Sequence, residues 1–167
     1  MSKRQLISIA MIACIALGTP AGAVSSSTKY KMNVAGSAMT CTSATGKPVQ
    51  LVSNASMATL GRASLDRNGD PVIEIHPGAL AAYSPFIQQW WFAHECAHHQ
   101  LSARQNSESR ADCYAAKSIR KLASGTVQEA RAITRELGSL SASNLGHLPG
   151  NERANLVLKC AGLNTVV

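Results

Sequence analysis

Aromatic residues, charged residues and long apolar runs are all scarce in this chain. Aromatic side chains make up 4% of its 167 residues, and charged ones 15%. No stretch after the first 23 residues approaches the ~20 apolar residues of a membrane-spanning helix. The basic residues are scattered, and only two Phe accompany them, so the pattern of a nucleic-acid-binding surface is missing. We therefore expect no integral membrane segment after signal cleavage and no nucleic-acid partner.

The composition favours one compact domain. Hydrophobic residues make up 46% of the chain, enough for a single core at this length, and a second domain would be cramped. We see no internal repeat. The excess of basic over acidic residues is modest, and attraction to anionic cell-envelope surfaces would be unspecific.

The first 23 residues have the pattern of a signal peptide. The basic residues Lys3 and Arg4 precede an apolar run from Leu6 to Leu17. A small-residue cleavage site, Ala21-Gly22-Ala23, follows this run. This pattern predicts a mature chain of residues 24–167, folded as one domain and secreted or periplasmic.

Four of the five cysteines lie in the predicted mature chain, an even number in a compartment where disulfides persist. Three connectivities are open. The one we prefer joins Cys113 to Cys160 and leaves Cys41 for Cys96. The fifth, Cys14, lies in a segment that loosely resembles a lipoprotein processing site, and lipid anchoring is the alternative there.

The pattern along the chain is that of a small hairpin sheet followed by helices, an α+β arrangement. Residues 24–56 suit an extended arm or weak strands. Thr59–Asp66 and Pro71–Ile75 flank Asn68-Gly69, which predicts a β-hairpin with a tight primed turn.

Four helices are predicted from their capping and stop signals. They run from Ser84-Pro85 to about Leu101, from Asn106 or Ser107 to about Ala123, from Thr126 to Leu137 before Gly138, and from Pro149-Gly150 through Cys160. Helical spacing predicts one buried face in the first helix, with Phe86, Trp90, Ala93, Ala97 and Leu101, and one in the second, with Ala111, Ala115, Ile119 and Leu122.

The segment His94-Glu95-Cys96-Ala97-His98 lies in the first of these helices. Residues four apart lie on one helix face, so the two imidazoles can share one metal ion. Glu95 lies beside them, where its carboxylate can reach a zinc-bound water as a general base. The alternative is an ordinary solvated helix face.

One more ligand is needed, because a catalytic zinc usually has three protein ligands. Glu108 is the best candidate, since a short turn can fold its helix back against the first. Asp112, one turn further, can accept the free N–H of a ligating histidine. The alternative is that these acidic residues only stabilise the start of a helix.

Together, His94-Glu95-x-x-His98 and Glu108-x-x-Ala111-Asp112 resemble the gluzincin zinc metallopeptidases. The resemblance covers about Pro71 to Ala123 and implies a zincin-like fold. It also implies zinc ligation by His94, His98 and Glu108, a general base at Glu95, and a supporting role for Asp112. The separation of His98 from Glu108 is shorter than in the larger members.

Two further roles are less well defined. By the same resemblance, Val72 to Ile75 would line the cleft and pair with an extended substrate. His147-Leu148-Pro149-Gly150 with Arg153 is similar to a segment of the prenyl-protein-protease and heat-shock membrane-protease branch. We expect His147 to be an oxyanion donor or substrate contact, against the alternative of a structural loop histidine. Tyr114 is a second candidate donor, and core packing is its alternative role.

The sequence thus predicts an exported zinc metalloendopeptidase that acts on a peptide or protein. The main alternative is a secreted binding or structural module with a zincin-like scaffold, against which the intact Glu95 argues. A third is a metal-buffering or envelope-interaction protein. His76 and His99 are expected to be incidental, His99 because it points away from His98. Substrate identity and oligomeric state have no signal in the sequence.

Overall fold

A computed structural model describes residues 32–120, 126–143 and 146–163. These residues form a mixed α+β fold. In chain order the strands are β1 (Met32–Val34), β2 (Ser37–Met39), β3 (Gln50–Ser53), β4 (Gly61–Leu65) and β5 (Pro71–Ile75). The helices are α1 (Pro77–Leu80), α2 (Pro85–Gln100), α3 (Glu108–Arg120), α4 (Val127–Ala132), continued by a π-helical segment (Ile133–Leu137), and α5 (Gly150–Ala161). The predicted signal peptide, Leu122 and Ala123 lie outside the described residues.

The strands form two small sheets. β1 and β2 are an antiparallel hairpin, and the three-stranded sheet has the order β3-β5-β4. β4 pairs antiparallel with β5, as the predicted hairpin requires, while β3 pairs parallel with β5. Weak strands are therefore present before residue 56, and β5 is the central strand of its sheet.

The predicted tight primed turn between β4 and β5 is wrong. A type I′ turn needs positive φ at both central residues and a type II′ turn needs it at the first, but only the second residue, Gly69, has it, at +78°. The loop is wider, because the Asp66 N–H donates to the Asp70 carbonyl. The Asp66 carboxylate also accepts from the backbone N–H groups of Asn68 and Asp70, which stabilises this longer connection.

α2 is the central element of the described structure. Ser84 caps it by accepting from the Ile87 N–H. Of the predicted buried face, Trp90, Ala93 and Ala97 are buried, while Phe86 and Leu101 are half-buried. Other sides of the helix are buried too, because one core joins it to the later helices and a second joins it to both sheets. No helix in the described part of the chain is long and apolar enough to cross a membrane.

The remaining helices follow their sequence signals. The predicted face of α3 is buried at Ala111, Ala115 and Ile119. Thr126 and Glu129 form the predicted capping box of α4, and Gly162 caps the end of α5 in a left-handed conformation. The disulfides are Cys41–Cys96 and Cys113–Cys160, so the preferred connectivity is confirmed. They join α2 to the segment after β2, and α3 to α5.

Candidate metal centre

Three predicted metal ligands converge where α2 packs against α3. His94 and His98 lie one turn apart on α2, with their Nε2 atoms 3.2 Å from each other. The Oε2 atom of Glu108, the first residue of α3, lies 3.1 Å from His94 Nε2 and 3.4 Å from His98 Nε2. These three residues form a group that could hold a metal ion.

The dimensions of this triangle fit a zinc ion. Ligand atoms about 2.0–2.1 Å from a tetrahedral zinc lie about 3.3 Å from one another, and the observed edges are 3.1, 3.2 and 3.4 Å. Two imidazole nitrogens and one carboxylate oxygen are also a ligand set that zinc accepts, although other divalent metals accept it too. The residues present therefore fit the predicted metal.

Both histidines are held by a partner on the nitrogen that faces away from the triangle. His94 Nδ1 lies 2.8 Å from Asp112 Oδ1, as the spacing of Asp112 predicted. His98 Nδ1 lies 2.6 Å from Asn106 Oδ1. An oxygen acceptor at Nδ1 places the proton there and leaves the Nε2 lone pair for a metal. Asn106 had been expected only as a helix cap, so its role at His98 was missed.

Asp112 is in turn held by a buried cation. Arg153 of α5 donates from Nε and Nη2 to the two carboxylate oxygens, at 2.8 to 3.2 Å. Its guanidinium carbon lies 5.1 Å from the ring centroid of Trp90 and 4.8 Å from that of Trp91. The sequence placed Arg153 near the His147 segment but did not predict this contact with Asp112.

Glu95 lies in the same cleft, a space of about 410 Å³ that is also lined by all three predicted ligands, by β4 and by His147. Its side chain is buried. Burial raises the pKa of this carboxyl, and the nearby His94 and His98 lower it only in part. A carboxylate with a raised pKa is suited to accept a proton near neutral pH.

His147 reaches the centre from the segment before α5. Its Nε2 lies 2.7 Å from Glu108 Oε2, and its Nδ1 lies 2.6 Å from Ser143 Oγ. If the serine hydroxyl donates to Nδ1, Nε2 carries a proton and donates it to Glu108 Oε2. The structure therefore brings His147 together with the other predicted site residues.

The carboxylates make the centre favourable for positive charge. Burial opposes ionisation of Glu108, yet its contacts with His147, His94 and His98 hold its pKa well below the usual range. Burial likewise lowers the pKa of His94, but Asp112 and Glu108 outweigh it and raise that pKa to about 8. A proton on His94 and a metal cation would be stabilised by the same two carboxylates.

The strand that lines the cleft is β4, so the prediction for Val72 to Ile75 is wrong. β5 has a neighbour on each side, β3 and β4, and no free edge for a substrate. The sequence predicted only the hairpin of β4 and β5, and a hairpin does not show which of its two strands is central in a larger sheet. Gly61 to Leu65 of β4 line the cleft instead.

The remaining candidates, Tyr114, His99 and His76, lie outside the metal triangle. The Tyr114 hydroxyl contacts Gln100 and lines a separate pocket, so it is not the predicted oxyanion donor. His99 bonds to the Val72 carbonyl through Nε2, 2.9 Å away, while its side chain borders the cleft. His76 accepts from the Ala79 N–H at the start of α1.

No family model, curated protein or solved structure matches the chain. The resemblance to gluzincins therefore rests on the motif residues alone.

Proposed function

We propose that the protein is an exported zinc-dependent peptidase of the gluzincin type. One observation carries the proposal: His94, His98 and Glu108 form a triangle of zinc dimensions in a cleft that also contains the buried carboxylate of Glu95. A catalytic zinc polarises a carbonyl and lowers the pKa of water. The two disulfides are compatible with export, since such bonds persist outside the cytoplasm.

The side chains around the triangle can support peptide hydrolysis, because Glu95 can transfer the protons and His147 can stabilise the negative charge that develops. The Glu95 carboxylate accepts a proton from the attacking water and then delivers it to the leaving amine. His147, whose Nε2 lies 2.7 Å from Glu108 Oε2, would donate from Nε2 to the oxygen that gains negative charge when the substrate replaces that contact. Asp112 and Asn106 keep the two histidine rings in the required tautomer.

The free edge of β4 suits an extended peptide. The His76 N–H donates to the Leu60 carbonyl at one end of the β4–β5 pairing, and the Asp66 N–H donates to Asp70 at the other. Because bonded and non-bonded pairs alternate in an antiparallel ladder, the backbone groups of Gly61, Ala63 and Leu65 point away from β5. The Gly61 carbonyl accepts from the Thr59 hydroxyl, and a substrate could pair with the groups of Ala63 and Leu65 as an added strand.

The first test is the zinc content of residues 24–167 with both disulfides formed. We expect about one zinc per chain, because three ligands converge and the tautomers of both histidines are fixed. Glu108→Ala should release the metal to a mild chelator, whereas Glu152→Ala, a change of an exposed carboxylate on α5, should not. A folded protein that binds no zinc would contradict the proposal and favour the binding-module alternative.

The second test measures hydrolysis of unfolded casein by the zinc-loaded protein. Glu95→Gln should keep the zinc but lower the rate by about 10²-fold or more, because the base is removed. Hydrolysis at the wild-type rate by a zinc-loaded Glu95→Gln protein would show that Glu95 is not the base.

A further inference from the structure

β4 packs against the Glu95 side chain at Gly61. At Gly61, a β-carbon would lie 3.1 Å from Glu95 Oε1, 3.2 Å from Cγ and 3.4 Å from Cδ. Contacts of 3.1 and 3.2 Å are shorter than ordinary van der Waals separations. β4 can therefore lie this close to Glu95 only because residue 61 has no side chain.

The backbone itself does not require glycine at this position. Gly36, Gly46 and Gly69 have positive φ angles that other residues rarely adopt, but Gly61 does not. A residue with a side chain could therefore take the same backbone conformation in β4. The constraint at position 61 comes from the space that Glu95 occupies.

Gly61 also lies where two cavities meet. It lines the metal-centre cleft and a neighbouring pocket of about 490 Å³, and Glu95 and His147 line both. A side chain at position 61 would project toward the carboxylate at this junction, rather than into open solvent.

We propose that Gly61 is a positioning residue, whose missing side chain lets the edge of β4 approach and orient the Glu95 carboxylate. The contact with Glu95 is independent of the proposed function; its effect on hydrolysis rests on that function. The Glu95 side chain is buried, and the space beside its carboxylate is that of the two cavities that it lines. A methyl group at residue 61 would therefore push the carboxylate into these cavities or push β4 away from it.

A double-mutant cycle of unfolding tests the contact without any substrate. Gly61→Ala should lower the urea midpoint of the zinc-free protein. The same change in a Glu95→Ala background should lower it much less, because Glu95→Ala removes all three atoms that the new methyl group meets. Gly78→Ala is the matched control, since its β-carbon would come no closer than 3.5 Å to His76. Equal loss in both backgrounds would overturn the proposal.

Hydrolysis of casein by the zinc-loaded protein tests the consequence. Gly61→Ala should bind the same amount of zinc and lower kcat by about tenfold or more with little change in KM, because small displacements of catalytic groups are costly. An unchanged kcat in a folded, zinc-loaded variant would overturn the positioning role. A wild-type protein without hydrolytic activity would count against the proposed function, while the unfolding cycle would still decide whether Gly61 makes room for Glu95.

Discussion

The buried pair of Asp112 and Arg153 shows how single residues support the centre. Both are almost completely buried, with 1% and 2% of their surface exposed. Burial opposes ionisation of Asp112, but contacts with His94 and Arg153 outweigh it and lower the pKa of this carboxyl. Arg153 therefore helps to keep an ionised carboxylate beside His94.

Replacing Arg153 with Met should cost about 3–5 kcal/mol of unfolding free energy, because a buried carboxylate would lose its cationic partner. Urea unfolding of the zinc-free protein would measure this loss. Lys159→Met, on the exposed side of the same helix, should change the stability by no more than about 0.5 kcal/mol. A similar small effect of Arg153→Met would show that Asp112 does not depend on the arginine.

Site residues on one helix, or on two helices joined by a short turn, were predictable, but the contact of Arg153 with Asp112 was not. The positions of His94, Glu95 and His98 follow from the helical repeat. The contact of Arg153 with Asp112 spans 41 residues, and its geometry depends on how α5 packs against α3. Sequence spacing contains no information on that packing.

At the scale of elements, the start of α2 is fixed by a carboxylate from a distant segment. Glu136, in the π-helical segment, accepts from the Ser84 backbone N–H at 2.8 Å. Burial opposes its ionisation, but the bonds from Ser84 and Arg135 outweigh that effect and lower the pKa of Glu136. The contact ties the end of the π-helical segment to the helix that contains His94 and His98.

Glu136→Gln should therefore destabilise the protein by about 1–2 kcal/mol at neutral pH, since a hydrogen bond to a charged group is weakened. A lowered folded-state pKa stabilises the fold above the unfolded value of about 4.3, and that stabilisation is lost as the pH falls through the folded pKa. The difference between wild type and variant should thus shrink in acid. Urea unfolding at pH 7 and pH 3 would measure it, with Glu152→Gln as the exposed control. A difference that did not change with pH would contradict the charge-based explanation.

Helix boundaries were predicted better than strand pairing for a physical reason. Caps such as Ser84 and Thr126 act within a few residues, so their signal is local. The parallel pairing of β3 with β5 joins segments about twenty residues apart, and nothing in either strand identifies its partner. For this reason the sequence showed the hairpin but not that β4 provides the edge of the cleft.

At the scale of the whole described structure, the two cores meet at α2 and each has a disulfide beside it. Cys41 and Cys96 are both part of the core between α2 and the sheets. Cys160 packs against the core of the helices, where its bond to Cys113 joins the helix of Asp112 to the helix of Arg153. The Cys113–Cys160 bond thus connects two helices that bear site residues, and the Cys41–Cys96 bond joins α2, which bears His94, Glu95 and His98, to the segment after β2.

Removing either disulfide should cost a similar amount of stability. The bonds close loops with sequence separations of 55 and 47 residues. The chain-entropy relation gives about 4 kcal/mol for each, because it depends only on the logarithm of loop length. Urea unfolding of the Cys41→Ala/Cys96→Ala and Cys113→Ala/Cys160→Ala proteins, both without zinc, would measure the two losses. A loss below about 1 kcal/mol for either pair would contradict the prediction. A much larger loss for the Cys41–Cys96 pair would instead show that the two half-cystines also stabilise the folded core, in which both are buried.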